Sequence, residues 1–109
     1  MLLRADGLVE PLEADGCLLG IFPDEAFETQ VVQLTPGDRI VLYTDGIEVC
    51  FADDRILDSA RWRDELVRRR HLGGQQLLED FALHLDQESG SLDPSDDLTV
   101  MVVEVLPKP

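Results

Sequence analysis

Apolar and polar positions divide the chain into a strand-rich first half, two helices and a final strand. Runs of β-branched, aliphatic and aromatic residues bounded by Gly, Pro or Asp turn signals are typical of strands. They predict strands at 2–5, 8–12, within 27–34 (centred on Val31 and Val32), and at 39–44. The segment 98–105 is apolar on both faces, which is typical of a strand buried on both sides.

Two amphipathic segments predict helices between these strands. Ser59 is an N-cap residue for a helix to about Arg70, with Trp62, Leu66 and Val67 on one side. After Gly73 and Gly74, a second helix is predicted by an apolar stripe of Leu77, Leu78, Phe81, Ala82 and Leu85. The fold class predicted is α+β, a mostly antiparallel β-sheet with two helices packed on one face. Because two helices cover only one face of a sheet whose strands are apolar on both, part of the domain is predicted to be missing.

Charge and length narrow the functional classes. The 109 residues suit one domain, with nine basic against 23 acidic residues and a formal net charge of -14. Binding of nucleic acid or of an anionic membrane surface is therefore not expected. The sequence has no apolar run near the roughly 20 residues of a membrane helix and no signal peptide, so a cytoplasmic location is expected. Cys17 and Cys50 are expected to be free thiols.

Two acidic motifs flank predicted strands. Asp45 and Gly46 directly follow the strand at 39–44, and Asp96 and Asp97 directly precede the strand at 98–105. Taken singly, the first pair suits a turn that ends a strand, and the second suits a solvated loop. If Asp45 and Asp96 lie at one edge of the same sheet, their carboxylates converge and repel unless a cation neutralises them. Oxygen ligands of this kind suit a hard divalent ion such as Mn²⁺ or Mg²⁺.

No side chain is predicted to be catalytic in its own right. His71 ends the first predicted helix, and His84 lies on the polar side of the second. The chain has neither a Gly-rich phosphate loop nor the spacing of a zinc site. The arginine run at 68–70 is interpreted as a solvated helix end favoured by the helix dipole, with grip on a phosphorylated partner as the alternative.

Three segments resemble a known family. They are Gly-Ile-Phe-Pro at 20–23, the segment 34–48 with Leu-Thr-Pro-Gly-Asp and Leu-Tyr-Thr-Asp-Gly-Ile, and the segment 94–103 with Asp-Asp-Leu-Thr-Val. In this combination they resemble the C-terminal half of SpoIIE-like phosphatases, members of the metal-dependent PPM family of Ser/Thr protein phosphatases. The resemblance implies that residues 1–109 are the C-terminal portion of such a domain, within an α-β-β-α sandwich.

The resemblance also implies roles for the acidic motifs. Asp45 and Asp96 would bind a pair of Mn²⁺ or Mg²⁺ ions, Asp97 would support the ligand beside it, and Gly46 would shape the site. A water between the metals would attack the phosphate in line, without a covalent phosphoenzyme. Family members often act on phosphoserine or phosphothreonine of anti-anti-sigma-factor proteins, which places the expected role in bacterial sigma-factor or stress-response regulation.

The sequence also departs from the family pattern. A further metal-binding Asp with Gly-His-Gly belongs to the family's N-terminal half and has no counterpart here. After Asp45 the family often has Val-Thr-Glu-Ala, where this chain has Ile-Glu-Val-Cys at 47–50. One hypothesis is therefore a phosphatase fragment with a partial metal site. The alternative is a non-catalytic protein-binding or dimerisation module that keeps the fold and can exchange strands between two copies.

Overall fold

A computed structural model describes residues 1–14, 16, 18–44, 59–87 and 98–108. Four strands and two helices lie within them. In chain order they are β1 (Leu2–Leu3), β2 (Val9–Glu10), β3 (Arg39–Tyr43), α1 (Ser59–Arg68), α2 (Gly74–Gln87) and β4 (Val100–Glu104).

The four strands form one antiparallel sheet in the order β2-β1-β3-β4. A tight turn joins β1 to β2, where the Arg4 amide donates to the Leu8 carbonyl over 2.8 Å. Gly7 takes φ of 96° in this turn, a left-handed conformation that glycine adopts without steric cost. The longest pairing joins β3 to β4, from Arg39 opposite Glu104 to Tyr43 opposite Val100.

The core lies between the sheet and the two helices. Leu3, Val9 and Val41 from the sheet are buried in one cluster with helix side chains, namely Trp62, Leu66, Leu77 and Phe81. Trp62 is central, because its ring lies 5.3 Å from that of Tyr43 and 5.0 Å from that of Phe81. The α+β fold with both helices on one face of an antiparallel sheet is thus confirmed.

Both helices bury side chains that the apolar pattern predicted, but α2 buries fewer of them than expected. In α1, Trp62 and Leu66 are buried and Val67 is half-buried, as the periodicity predicts. In α2 only Leu77 and Phe81 of the described part of the predicted stripe are buried. Leu78 and Ala82 are exposed, because the sheet contacts a narrower arc of α2 than the stripe spans. The side chain of Leu85 is not among those that the structure describes.

Two arginines hold the end of α1 in place. Arg69 donates to the carboxylates of Glu65, over 2.6 Å, and Asp80, so it links α1 to α2. Burial opposes the charge of Arg69, but the two carboxylates outweigh it and raise the pKa of the guanidinium. The buried Arg39 of β3 donates to the carbonyls of Arg70, over 2.7 Å, and Leu72. These bonds satisfy two main-chain carbonyls of the segment that follows α1, which ends at Arg68.

On β3 and β4 the second face of the sheet is apolar and largely exposed, whereas Leu2 of β1, opposite Ile40 on the same face, is fully buried. Ile40 pairs with Val103, and Leu42 pairs with Met101, so these four residues are adjacent on the face away from the helices. Leu42 and Met101 are 50% and 57% exposed. We call these four residues the open face. Its exposure agrees with the expectation that two helices cover only one side of the sheet.

The strand predicted within 27–34 is wrong for this structure. Residues 27–34 have no regular secondary structure, and Val31 is 87% exposed. The strands predicted at 2–5 and 8–12 are also shorter than expected. Residue types in these segments favour extended backbone, but a strand also requires a hydrogen-bonded neighbour, which 27–34 does not have.

Candidate functional site

The four residues predicted to form the site, Asp45, Gly46, Asp96 and Asp97, lie outside the described residues. Their roles therefore stay predictions. The structure does describe the residues next to both motifs. Thr44 directly precedes Asp45, and Leu98 directly follows Asp97.

Thr44 and Thr99, which lie beside the two motifs in the sequence, are joined by hydrogen bonds. The Thr44 amide donates to the Thr99 carbonyl over 3.1 Å. In return, the Thr99 amide donates to the hydroxyl Oγ1 of Thr44 over 3.0 Å. The pair directly continues the β3–β4 ladder, whose last pair is Tyr43 with Val100. The chain therefore leaves β3 toward Asp45 at the same edge of the sheet where it enters β4 from Asp97.

The platform beneath this edge is anchored in the core. Tyr43 contacts Trp62 edge-to-face, and Trp62 is fully buried. Leu98 and Val100, at the start of β4, pack against the same buried cluster. Groups carried by strand ends that pack in this way are held more rigidly than groups on free loops.

The described residues add no further metal ligands to this edge. Within the described ranges, no group of three or more His, Cys, Asp or Glu side chains could hold a metal ion. The candidate donor set is therefore the carboxylates of Asp45 and Asp96, whose oxygen donors fit a hard divalent cation. Two protein carboxylates leave most coordination positions of such an ion to other ligands.

A polar cluster that the sequence did not single out lies at the other end of β3. Asp38 is 1% exposed and accepts hydrogen bonds from the Thr35 amide (2.9 Å), the Ala5 amide (2.8 Å) and Arg4 Nη1 (3.1 Å). The Thr35 hydroxyl donates a further bond over 3.2 Å. The bond from the Thr35 amide is the largest cause that lowers the pKa of Asp38 to about 2, against burial that raises it.

The Asp38 cluster is structural, because donors from its own chain occupy both carboxylate oxygens. It ties the turn at 35–38 to the β1–β2 hairpin. The sequence signal was Thr-Pro-Gly-Asp, in which an Asp three residues after a Thr can close a turn with its side chain.

The arginine run does not behave as one surface. Arg68 is exposed and pairs with Glu65 over 3.4 Å, as expected of a solvated helix end. Arg69 is largely buried between Glu65 and Asp80, so the interpretation as a solvated end is wrong for this residue. Its charge is committed within the chain and does not serve to grip a phosphorylated partner.

Comparison with known proteins identifies the family. The family model described as Stage II sporulation protein E (SpoIIE) matches residues 1–106. The chain belongs to the SpoIIE family. Membership of SpoIIE indicates a domain related to PPM-type phosphatases, which are typically metal-dependent. No curated protein and no solved structure matches the chain.

Neither α1 nor α2 combines the length and the apolar character that a membrane-spanning helix requires.

Proposed function

We propose that this SpoIIE-family chain supplies Asp45 and Asp96 as metal-binding carboxylates of a phosphatase acting on phosphoserine and phosphothreonine in proteins. The observation that supports this is the pair of hydrogen bonds between Thr44 and Thr99, two described residues that lie beside the two acidic motifs in the sequence. Family membership supplies the second support, since related domains are metal-dependent phosphatases.

Each residue of the site has a distinct task in this proposal. The carboxylates of Asp45 and Asp96 hold the divalent ions, Asp97 orients its neighbour, and Gly46 leaves room for close approach. Mn²⁺ or Mg²⁺ held by these carboxylates would lower the pKa of the attacking water and neutralise the phosphoryl oxygens. The water oxygen bonds to phosphorus as the bond to the serine or threonine oxygen breaks, which releases inorganic phosphate and the free hydroxyl.

Charge explains why the metal matters for this chain in particular. A net charge of -14 repels a phosphorylated protein, and the largely buried Arg69 is committed to Glu65 and Asp80. Divalent ions at the sheet edge would reverse the local sign where the phosphate must lie. We propose a cytoplasmic phosphoprotein substrate such as an anti-anti-sigma factor, within bacterial sigma-factor or stress-response regulation.

The test compares two forms of the protein. The first is the 109-residue chain; the second joins it to a SpoIIE-family N-terminal segment that carries the further Asp and Gly-His-Gly. With Mn²⁺ and a phosphoserine protein, we expect the joined form to release phosphate and the chain alone to release little. Asp45→Asn and Asp96→Asn should each lower kcat of the joined form about 100-fold or more, since each removes charge that stabilises the transition state.

Asp64→Asn is the matched control, because it removes the same charge at an exposed position of α1. It should leave the rate unchanged. Full activity of Asp45→Asn or Asp96→Asn in the joined form would refute the metal-ligand roles. Rapid hydrolysis by the chain alone would instead show that the site is complete without the other segment.

The open face favours a second candidate function. Ile40, Leu42, Met101 and Val103 form an exposed apolar area of the kind that marks interaction surfaces. A protein-binding or dimerisation module would use this face and would not need the carboxylates. Asp45→Asn and Asp96→Asn would then leave partner affinity unchanged, whereas they abolish turnover of an enzyme.

A further inference from the structure

The two edges of the described sheet are built differently. An edge strand presents unpaired main-chain groups to other chains, and proteins shield such edges by keeping them short or by placing charge or proline there. β2 has only two residues, one of them Glu10, and it is followed by Pro11, which has no amide hydrogen. β4 has five residues, and residues 100–103 carry neither charge nor proline. The long edge of the described sheet is therefore the unshielded one.

Hydrogen bonds on the inner side of β4 show which of its main-chain groups point outward. The Thr99 carbonyl accepts a bond of 3.1 Å from the segment that contains β3, and the Val105 amide donates one of 2.9 Å to it. Successive residues of an antiparallel strand bond to alternate sides. The amides and carbonyls of Val100, Val102 and Glu104 therefore point away from β3. No strand of the described residues pairs with them, because β4 ends the strand order.

The sequence of β4 suits pairing with a second copy of itself. An antiparallel pair centred on Val102 is two-fold symmetric, so Val102 lies opposite its counterpart and exchanges both main-chain bonds with it. Met101 then lies opposite Val103 of the second copy, and Val100 lies opposite Glu104. Apolar side chains thus meet across the pair. The two Glu104 carboxylates are not opposite each other, so no like charges face one another in this register.

We propose that the edge of β4 joins two copies of this chain through an antiparallel β4–β4 pair centred on Val102. The pair unites the two four-stranded sheets into one. It also places the two open faces side by side, since Met101 and Val103 belong to them. The bonds that hold the pair come from the main chain of the edge. The carboxylates of the proposed metal site take no part in it.

Val102→Pro tests the main-chain bonds of this edge. The Val102 amide points away from β3, so proline removes the two central bonds of the proposed pair and leaves the β3–β4 bonds in place. Two neutral hydrogen bonds correspond to about 30-fold in an equilibrium. We expect association to weaken by about this factor in sedimentation velocity at high ionic strength. Val102→Ala shortens the same side chain but keeps the amide, and it should associate like the wild type.

Cysteine cross-linking tests the register, in a chain that carries Cys17→Ser and Cys50→Ser. Val102→Cys places two cysteines directly opposite each other, with Cα atoms about 5.5 Å apart, which suits a disulfide. Met101→Cys is the matched control, because its two cysteines are diagonal neighbours about 7–8 Å apart. We expect the oxidised dimer to form at least about tenfold faster with Val102→Cys than with Met101→Cys.

Each measurement can overturn the proposal. Equal rates of cross-linking in the two cysteine variants would overturn the register, and this comparison remains decisive if Val102→Pro does not fold. Wild-type association of a folded Val102→Pro would overturn pairing at the edge and leave the open face as the contact. A wild-type chain that stays monomeric at high concentration and high salt would overturn the β4–β4 pair altogether. None of these results depends on phosphatase turnover, which tests the metal ligands separately.

Discussion

Asp38 shows how much order one buried carboxylate can impose on its surroundings. It gathers the Thr35 amide, the Ala5 amide and the Arg4 side chain around two oxygens. Arg4 also donates to the Gln33 carbonyl over 2.6 Å, so the cluster fixes the end of the irregular segment before β3. A carboxylate shielded from solvent in this way is tolerated because hydrogen-bond donors of the same chain reach both of its oxygens.

This cluster predicts a pH dependence of stability. The pKa of Asp38 is about 2 in the folded protein against 3.8 for the free group. A lowered pKa means that the stabilisation is present above pH 3.8 and is lost as the pH falls toward about 2. The difference is worth about 2 kcal/mol, so Asp38→Asn should lower the free energy of unfolding by about this amount at pH 7.

Chemical denaturation at several pH values measures this effect. The deficit of Asp38→Asn relative to the wild type should shrink from pH 5 downward and become small near pH 2, where about half of the wild-type Asp38 carboxyls are protonated. Asp64→Asn, at an exposed position, should stay within about 0.5 kcal/mol of the wild type at pH 7. A deficit that does not change with pH would contradict the assignment to the Asp38 charge.

At the scale of elements, helix α2 is held to the sheet by few residues. Leu77 and Phe81 are its buried side chains among those described, and Phe81 also lies 4.9 Å from the guanidinium of Arg69. The stripe in the sequence was wider than the contact in the structure. The contribution of each leucine of α2 to the stability of the fold therefore depends on its position along the helix.

Leu77→Ala should be strongly destabilising. The Leu77 side chain is 0% exposed, so its removal leaves a cavity and should cost about 2–5 kcal/mol of unfolding free energy. Leu83→Ala makes the same change on α2 at a side chain that is 57% exposed, and it should shift stability by less than about 0.5 kcal/mol. Denaturant midpoints of the two variants give the comparison, and similar midpoints would contradict the packing described for α2.

The strands and the buried arginines show how far the sequence alone could predict the fold. Arg39–Tyr43 and Val100–Glu104 were predictable because β-branched and apolar residues coincide with clear turn signals at 35–38 and 45–46. Segment 27–34 carries a similar pattern and forms no strand, since pairing depends on a neighbour that no local pattern specifies. Likewise, the burial of Arg39 and Arg69 depends on contacts with residues far along the chain.

For the molecule as a whole, the open face is an apolar surface that the two helices leave uncovered. It lies on the two strands that carry the acidic motifs, β3 and β4. Among the strands of the described residues, β4 lies at an edge of the sheet, and its residues 100–103 carry no charge that would discourage pairing with another strand. The net charge of -14 opposes contact between two copies over long distances.

We expect self-association that strengthens with salt. Salt screens the repulsion between two acidic copies but leaves apolar burial in place. In sedimentation velocity at high ionic strength, the sedimentation coefficient should rise with protein concentration. Met101→Lys should weaken association at least about tenfold, because it places a charge in the buried interface.

Leu19→Lys is the matched control for this experiment, since Leu19 is exposed and lies outside the open face. It should associate like the wild type. A clean monomer at high concentration and high salt would count against a dimerisation role for the open face.

The candidate site was predictable from the sequence to a different extent than the fold. The sequence singles out Asp45 and Asp96 because they adjoin predicted strands, but it does not specify that β3 and β4 are neighbours in the sheet. That pairing depends on residues far apart in the chain, which no local pattern specifies.

The pairing of β3 with β4 also limits how early this part of the sheet can fold during synthesis. Thr44 and Thr99 are 55 positions apart, and both helices lie between them. Local contacts within α1 and α2 can form during synthesis, whereas closing so long a loop must wait for the last strand. A nascent chain thus carries its first acidic motif on the ribosome without the second. It cannot assemble this edge of the sheet until residues 100–104 have emerged.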